Sequence, residues 1–171
     1  MLLSTVGGVR TLAVVTETEA YGGPDDPASH ASTRSGVTER NRAMFGPPGR
    51  AYVYLSHGVH WCLNVVTCAE GSGAAVLFRG ATPIVGLDTM HARRSGRTPL
   101  CTGPGRLAQA LGVTGALYGH ALERAPLVLL PGWHVPDEGI GASGRIGVGV
   151  AAERPWRFYV RGAPGVSRHP R

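Results

Sequence analysis

Alternating apolar and polar residues mark a strand near the start of the chain. Read with a period of two, the run Val14–Tyr21 places Val15, Glu17, Glu19 and Tyr21 on one face. Two carboxylates and an aromatic ring on one face suit the wall of a pocket for a flat ligand. The alternative is ordinary: a strand glutamate is usually solvated, and a strand tyrosine usually packs half-buried.

Two later runs have the same period and are separated by a short Ser-His-Gly turn. The first run presents two tyrosines on one face, and the second presents a histidine, a cysteine and an asparagine. These residues are Tyr52 and Tyr54, followed by His60, Cys62 and Asn64. The pattern predicts a β-hairpin. Together with the first strand, it predicts a cavity lined by aromatic rings, an acid and an amide.

The rest of the pattern predicts a mixed fold. The predicted strands are Arg10–Glu19, Ala51–Ser56, Val59–Thr67, Ala74–Arg79, Ile146–Val150 and Phe158–Arg161. The predicted helices are Thr38–Met44, Ile84–Arg94 and Gly105–Leu111, and an irregular loop is predicted at Trp133–Gly144. Because strands cluster early and helices follow, the order favours an α+β fold over a doubly wound parallel sheet. A length of 171 residues predicts one domain spanning residues 1–171.

The charge of the chain indicates a polyanionic partner. The formal net charge is +6, and all 17 basic residues are arginine because lysine is absent. Contact with the phosphates of a polyanion is one interpretation of this excess, and codon composition is the other. Without lysine the chain has neither a phosphate-binding P-loop nor a Schiff-base nucleophile. The candidate phosphate contacts are Arg34, Arg40, Arg42, Arg50 and Arg161.

Missing motifs disfavour several other classes of protein. No apolar run approaches a membrane span, and the first residues lack the features of a signal peptide. A cytoplasmic location is therefore expected, at the nucleoid if the source is bacterial. Residues 139–144 match G-x-G-x-x-G, but they precede a strand-like run and are interpreted as a turn. No metal-ligand spacing occurs, so neither a metal nor a cofactor is expected.

Glu17 and Glu19 together suggest hydrolysis of a glycosidic bond. Same-face strand residues lie about 6.6 Å apart along the backbone, near the carboxyl separation of inverting glycosidases. Adjacent acids cannot easily flank a sugar bond from both sides, so one carboxylate acting alone is favoured, and the residues do not decide which. A lone carboxylate can activate water against an N-glycosidic bond. Electron-rich rings suit a flat, alkylated and therefore cationic purine.

Reaching a damaged purine in duplex DNA requires rotating the nucleotide out of the base stack. The predicted hairpin, with Ser56-His57-Gly58 at its tip, offers a projecting side chain to fill the vacated space. His57 is therefore the candidate wedge.

Six segments of the chain resemble a known family. They are TETEAYGGPDDPASH, RNRAMFGPPGRAYVYLSHGVHWCLNVV, AAVLFRG, CTGPGRLAQAL, RIGVGV and RFYVRGAPGVS. In this order, from about Val14 to Ser167, they resemble the alkyladenine (3-methyladenine) DNA glycosylase family. The pairing of ETEAY with the YVY…N hairpin is far more specific than a lone glycine pattern.

The resemblance implies a monofunctional glycosylase with a curved, mainly antiparallel sheet, a protruding hairpin and flanking helices. Its substrates would be alkylated or deaminated purines in duplex DNA: 3-methyladenine, 7-methylguanine, hypoxanthine and ethenoadenine. It implies neither a metal nor a cofactor, and it implies a monomer. With lysine absent, coupled strand cleavage by a lyase reaction is also disfavoured.

The resemblance also implies a role for each site residue. Glu19 would activate water, Arg79 and the main-chain carbonyl of Ile146 would help hold that water, Tyr21, His30 and Tyr54 would surround the flipped base, and Asn64 would reject guanine by a clash. The implied contacts with DNA are the wedge His57, together with Val59, His60, Arg42 and Arg161.

Two departures from the family pattern keep an alternative open. The wedge position usually holds tyrosine, whereas here it holds the smaller His57. Only 18 residues precede Glu19, so the domain is expected to be truncated at its amino terminus, with part of a sheet edge uncovered. A catalytically weak module that binds DNA damage is the first alternative. A nucleoside hydrolase acting on small molecules is the second.

Overall fold

A single antiparallel sheet organises the chain, as shown by a computed structural model that describes residues 1–32 and 36–168. The predicted phosphate contact Arg34 lies outside the described residues. Within them the strands are β1 (Leu2–Ser4), β2 (Thr11–Tyr21), β3 (Ala51–Ser56), β4 (His60–Thr67), β5 (Ala74–Val85), β6 (Leu127–Leu129), β7 (Ile140–Ser143) and β8 (Arg157–Val160). The α-helices are α1 (Leu87–Arg93) and α2 (Pro104–Leu111). The sheet curls into a half-barrel, which confirms the predicted α+β fold.

Strand β2 is the centre of the sheet. The strand order is β3-β4-β5-β2-β1-β6, and β8 pairs with both β2 and β7. β5 pairs along the length of β2, whereas β1 pairs with its first residues and β8 pairs with Glu17–Glu19. The β2–β5 register shifts on both sides of Glu17, as expected for β-bulges, which redirect side chains. The part of β2 that carries the two glutamates is therefore paired on both edges.

The two faces of the sheet pack against different cores. The larger core includes Leu63, Phe78 and the buried face of α2. This helix begins with Pro104, and the left-handed Gly112 caps its carboxyl end. A smaller cluster consists of Ala31, Met44, Tyr52, Val66 and Ala75. Since neighbouring strand residues point to opposite faces, the β3–β4 hairpin contributes to both cores.

One predicted helix is absent. The chain over Thr38–Met44 forms turns followed by a 3-10 helix at Arg42–Phe45. The side chain of Asn41 donates to the carbonyls of His30 and Gly36, and its Oδ1 accepts from the Thr38 amide at 2.6 Å. These bonds compete with the helical pattern, as asparagine side chains commonly do.

The carboxyl-terminal predictions are also partly wrong. Ile146–Val150 is an irregular loop rather than a strand, whereas the predicted loop and glycine-rich turn contain strand β7. A Cβ at Gly141 would lie 2.4 Å from the Tyr159 ring, so glycine allows β8 to pack closely there. The short strands β1 and β6 were not predicted. Among the described residues, no helix is long and apolar enough to cross a membrane.

Candidate active site

A cavity of about 560 Å³ opens beside the β3–β4 hairpin, within the size range of small-ligand pockets. The structure brings five predicted site residues to its wall. They are Tyr21, His30, Tyr54, His57 and Asn64. Tyr21 ends strand β2, while Tyr54 and Asn64 lie on the paired strands β3 and β4. The cavity predicted from three separate runs of sequence is therefore present.

Aromatic rings form one side of this cavity. Tyr52 and Tyr54 are stacked with ring centroids 5.4 Å apart, and His30 meets Tyr54 edge-on at 4.6 Å. His30 Nδ1 shares a hydrogen bond of 2.8 Å with the Tyr52 hydroxyl. Burial, together with the nearby charge of Arg40, lowers the pKa of His30. The imidazole is therefore neutral near neutral pH and presents an uncharged edge to the cavity.

Glu19 lies at the inner end of the site, fully buried. Its Oε1 accepts from the Ile146 amide at 2.7 Å, and its Oε2 accepts from the Tyr21 hydroxyl at 2.9 Å. Arg79 Nη1 donates to the same Oε2 at 3.3 Å. The carboxylate is not among the groups that line the cavity; it is connected to the cavity through Tyr21.

The surroundings of Glu17 distinguish it from Glu19. Its Oε1 accepts from Arg79 Nε, Arg157 Nε and the Ser167 hydroxyl, at 3.1, 2.7 and 2.7 Å. Its Oε2 accepts from the Ser167 amide at 2.7 Å. Burial alone would raise the pKa of Glu17, but the bonds from Ser167 and Arg157 and the charge of Arg79 outweigh burial and lower it. Glu17 is therefore a structural anion, and Glu19 is the better candidate base.

Arg79 joins the two glutamates to the loop after β7. Its Nε contacts Glu17, whereas its Nη1 contacts Glu19 and the carbonyl of Ile146, the latter at 3.4 Å. Ile146 thus donates its amide to Glu19 and offers its carbonyl to Arg79. Arg79 is itself 7% exposed, so this charge is used internally and not on a surface.

The predicted DNA contacts lie outside the aromatic wall. His57 has φ 49° at the hairpin tip, and Val59, two residues further along the chain, is 68% exposed. His60 lines a second groove, of about 1270 Å³, together with Ser56 and Cys62 of the same hairpin. Arg42 and Arg161 are exposed, and Arg42 forms a surface ion pair with Glu39. Val59, His60, Arg42 and Arg161 are not among the residues that line the cavity.

Several cavity residues were not predicted as part of the site. The main addition is the loop Gly147–Val150, which follows Ile146 and forms one wall. Other additions are Pro27, Ala28 and Met44. Tyr52, predicted on the same ring-bearing face as Tyr54, and Arg40, predicted as a phosphate contact, also line the cavity. No signal in the sequence marked the loop: its alternating small and apolar residues resemble a strand.

Comparison with known proteins identifies the family. Residues 1–164 match the profile of the methylpurine-DNA glycosylase family. The chain belongs to this family. It is therefore a DNA glycosylase, an enzyme of DNA repair whose substrate is DNA. Among the described residues, no three or more His, Cys, Asp or Glu side chains are placed to hold a metal ion.

Individual relatives agree with this membership. A protein of Rhizobium meliloti is 50% identical over 167 residues, which are 96% of this chain and 84% of the relative. A protein of Nitrosospira multiformis is 46% identical over 170 residues, covering 98% of this chain and 83% of the relative. A protein of Methanoculleus marisnigri is 47% identical over 165 residues, covering 94% and 84%. The names of all three assign them provisionally as 3-methyladenine DNA glycosylases.

Proposed function

We propose that this DNA glycosylase hydrolyses the N-glycosidic bond of alkylated or deaminated purines in duplex DNA, releasing the base and leaving an abasic site. 3-Methyladenine, 7-methylguanine, hypoxanthine and ethenoadenine are the proposed substrates. The observation that carries the proposal is a buried carboxylate, Glu19, hydrogen-bonded to a wall residue of an aromatic cavity.

In the proposed reaction, Glu19 accepts a proton from water as the water oxygen attacks the anomeric carbon. The bond between this carbon and the purine nitrogen breaks, and its electron pair leaves with the base. The anionic carboxylate also favours the oxocarbenium-like charge that develops on the sugar. Arg79 and the carbonyl of Ile146 flank Glu19 and are proposed to orient the water. No amine takes part, so the strand is not cleaved.

The proposed base pocket consists of Tyr21, His30 and Tyr54, with Asn64 beside it. A flat purine between electron-rich rings gains stacking, and a cationic alkylated purine gains cation–π attraction in addition. Asn64 Nδ2 donates to the Tyr52 carbonyl at 2.9 Å, which fixes the amide in the cavity wall. An exocyclic amino group on guanine would then meet a side chain that cannot move away.

The decisive experiment is Glu19→Gln, which keeps the side-chain shape but removes the proton acceptor. Single-turnover release of hypoxanthine or ethenoadenine from a duplex should fall by at least about 10²-fold, while affinity for the lesion duplex stays close to wild type. Glu123→Gln, a surface substitution, serves as the matched control. Full activity of Glu19→Gln would remove Glu19 from its role.

The alternative is a module that binds damaged bases without releasing them. The observation in its favour is that Glu19 does not reach the cavity wall directly. Wild-type protein incubated with lesion duplex, followed by alkali, separates the two functions. Strand breaks at the lesion identify an enzyme, and tight binding without breaks identifies the module.

The proposed setting and DNA contacts are those that the family resemblance implies. A monomer acts on duplex DNA in the cytoplasm, with His57 as the wedge and Val59, His60, Arg42 and Arg161 as contacts around it. Gel filtration with light scattering would test the monomer.

A further inference from the structure

A buried ion pair lies directly behind the candidate pocket. Arg145 and Asp26 are 3% and 1% exposed. Arg145 Nη1 donates to Asp26 Oδ2 at 2.6 Å, and Nη2 donates to Oδ1 at 2.9 Å. This bidentate geometry is the strongest form of arginine–carboxylate contact. Neither residue lines the cavity, and the mechanism above does not use either.

The same guanidinium connects separate segments of the pocket wall. Nη1 also donates to the carbonyl of Ala20 at 3.1 Å, on strand β2, and Nη2 donates to that of Ala151 at 3.1 Å. Asp26 in turn accepts from the amides of Gly22 and Ala28, at 3.1 and 3.2 Å. One ion pair therefore binds the end of β2, the turn that follows it, and the loop after β7.

The guanidinium of Arg145 also packs against two aromatic rings. Its Cζ lies 4.9 Å from the centroid of the Tyr21 ring and 5.1 Å from that of Trp156. Tyr21 is the residue that joins Glu19 to the cavity, and Ile146, whose amide binds Glu19, is the next residue along the chain from Arg145. Both neutral donors to Glu19 are thus held through this one side chain.

We propose that Arg145, paired with Asp26, is a positioning residue: it holds Tyr21 and the Ile146 backbone in place, and so orients Glu19. Burying a charged pair is costly in free energy and gives little net stability. Its geometric effect is specific, because a lysine would keep the charge but lose the planar, two-sided contacts. The catalytic part of this inference rests on the proposed function.

The test is Arg145→Lys, with Arg154→Lys as the matched control. Arg154 approaches the same Asp26, at 3.8 Å, and stacks on the same Trp156, at 4.8 Å, but its side chain is 35% exposed and away from the cavity. Arg145→Lys should slow single-turnover base release by about 10²-fold, the effect of misplacing a reacting group by about 1 Å. Its affinity for lesion duplex should stay close to wild type. Arg154→Lys should match wild type in both.

Backbone hydrogen exchange supplies a readout that does not depend on activity. In Arg145→Lys, amides of the 146–150 loop and of the turn after β2 should exchange faster, while amides of β4 stay unchanged; in Arg154→Lys, none should change. Unchanged exchange and unchanged release in a folded Arg145→Lys protein would overturn the positioning role. So would faster exchange throughout the sheet, which indicates general unfolding. If wild type releases no base but the loop exchange changes as expected, the positioning role stands and the proposed function fails.

Discussion

Two glutamates two positions apart on one strand have different roles, because their partners differ. Glu17 accepts four hydrogen bonds from Arg79, Arg157 and Ser167, whereas Glu19 accepts three, two of them from Tyr21 and Ile146 beside the cavity. Glu17 in turn holds Arg79 in the position from which it reaches Glu19. Glu17 therefore stabilises the site, whereas Glu19 is the proposed catalytic base.

Glu17→Gln should lower the free energy of unfolding by about 3–5 kcal/mol, because it leaves two buried arginines without their shared anion. Glu39→Gln is the control: its surface pair with Arg42 is exposed and is worth about 0–1 kcal/mol. Urea unfolding at neutral pH measures both. An effect of Glu17→Gln as small as that of Glu39→Gln would contradict the buried network.

The pH dependence of that difference follows from the lowered pKa of Glu17. An acid whose pKa is lower in the folded state stabilises the protein fully above its ordinary value, 4.5, and this contribution disappears as the pH falls through the folded value. The stability gap between wild type and Glu17→Gln should therefore be constant near neutrality and shrink in acid. A stability difference between wild type and Glu17→Gln that increases in acid would contradict a lowered pKa of Glu17.

Among the secondary-structure elements, the β3–β4 hairpin contributes most to the site. Its register pairs Tyr52 with Asn64 and Tyr54 with Cys62, so the rings and the amide share one face. At its tip His57 has φ 49° and Gly58 has φ 72°, a combination found in type I′ turns. His57 therefore has a left-handed backbone conformation that glycine can also adopt.

That geometry allows a clean test of the wedge. His57→Gly should preserve the turn, since glycine adopts positive φ readily, while removing the imidazole. Base release from duplex should fall by about tenfold, which corresponds to flipping made less favourable by about 1.4 kcal/mol, and release from single strands should change little. Equal losses on duplex and single-stranded substrates would show that His57 is not a wedge.

Across the whole molecule, the arginine excess serves two purposes. Arg79, Arg94, Arg145 and Arg157 are buried, so these charges balance internal carboxylates or bind carbonyls and do not meet a polyanion. Others, such as Arg42 and Arg161, are exposed and remain free to approach phosphates. Net charge alone therefore overstates the surface available to DNA.

Binding to undamaged duplex should weaken steeply as salt increases, because phosphate contacts release counterions. Arg42→Gln should reduce the slope of log K against log salt by about one. Arg124→Gln is the matched control, since Arg42 and Arg124 are 62% and 67% exposed and each pairs with a neighbouring glutamate. A slope unchanged in Arg42→Gln, or equally reduced in Arg124→Gln, would remove Arg42 from the DNA contacts.

The period-two pattern was sufficient to locate β2, the hairpin and the ring-bearing face, because strand geometry assigns each residue to a face from its position alone. It was insufficient for β7, whose conformation depends on long-range pairing with β8. It was misleading for the loop after β7, where alternating glycine and valine resemble a strand but no strand forms. The choice between Glu17 and Glu19 was equally inaccessible to local pattern. Apart from Tyr21, the hydrogen-bond donors to the two carboxylates lie 60 to 150 positions away, and only folding brings those donors to them.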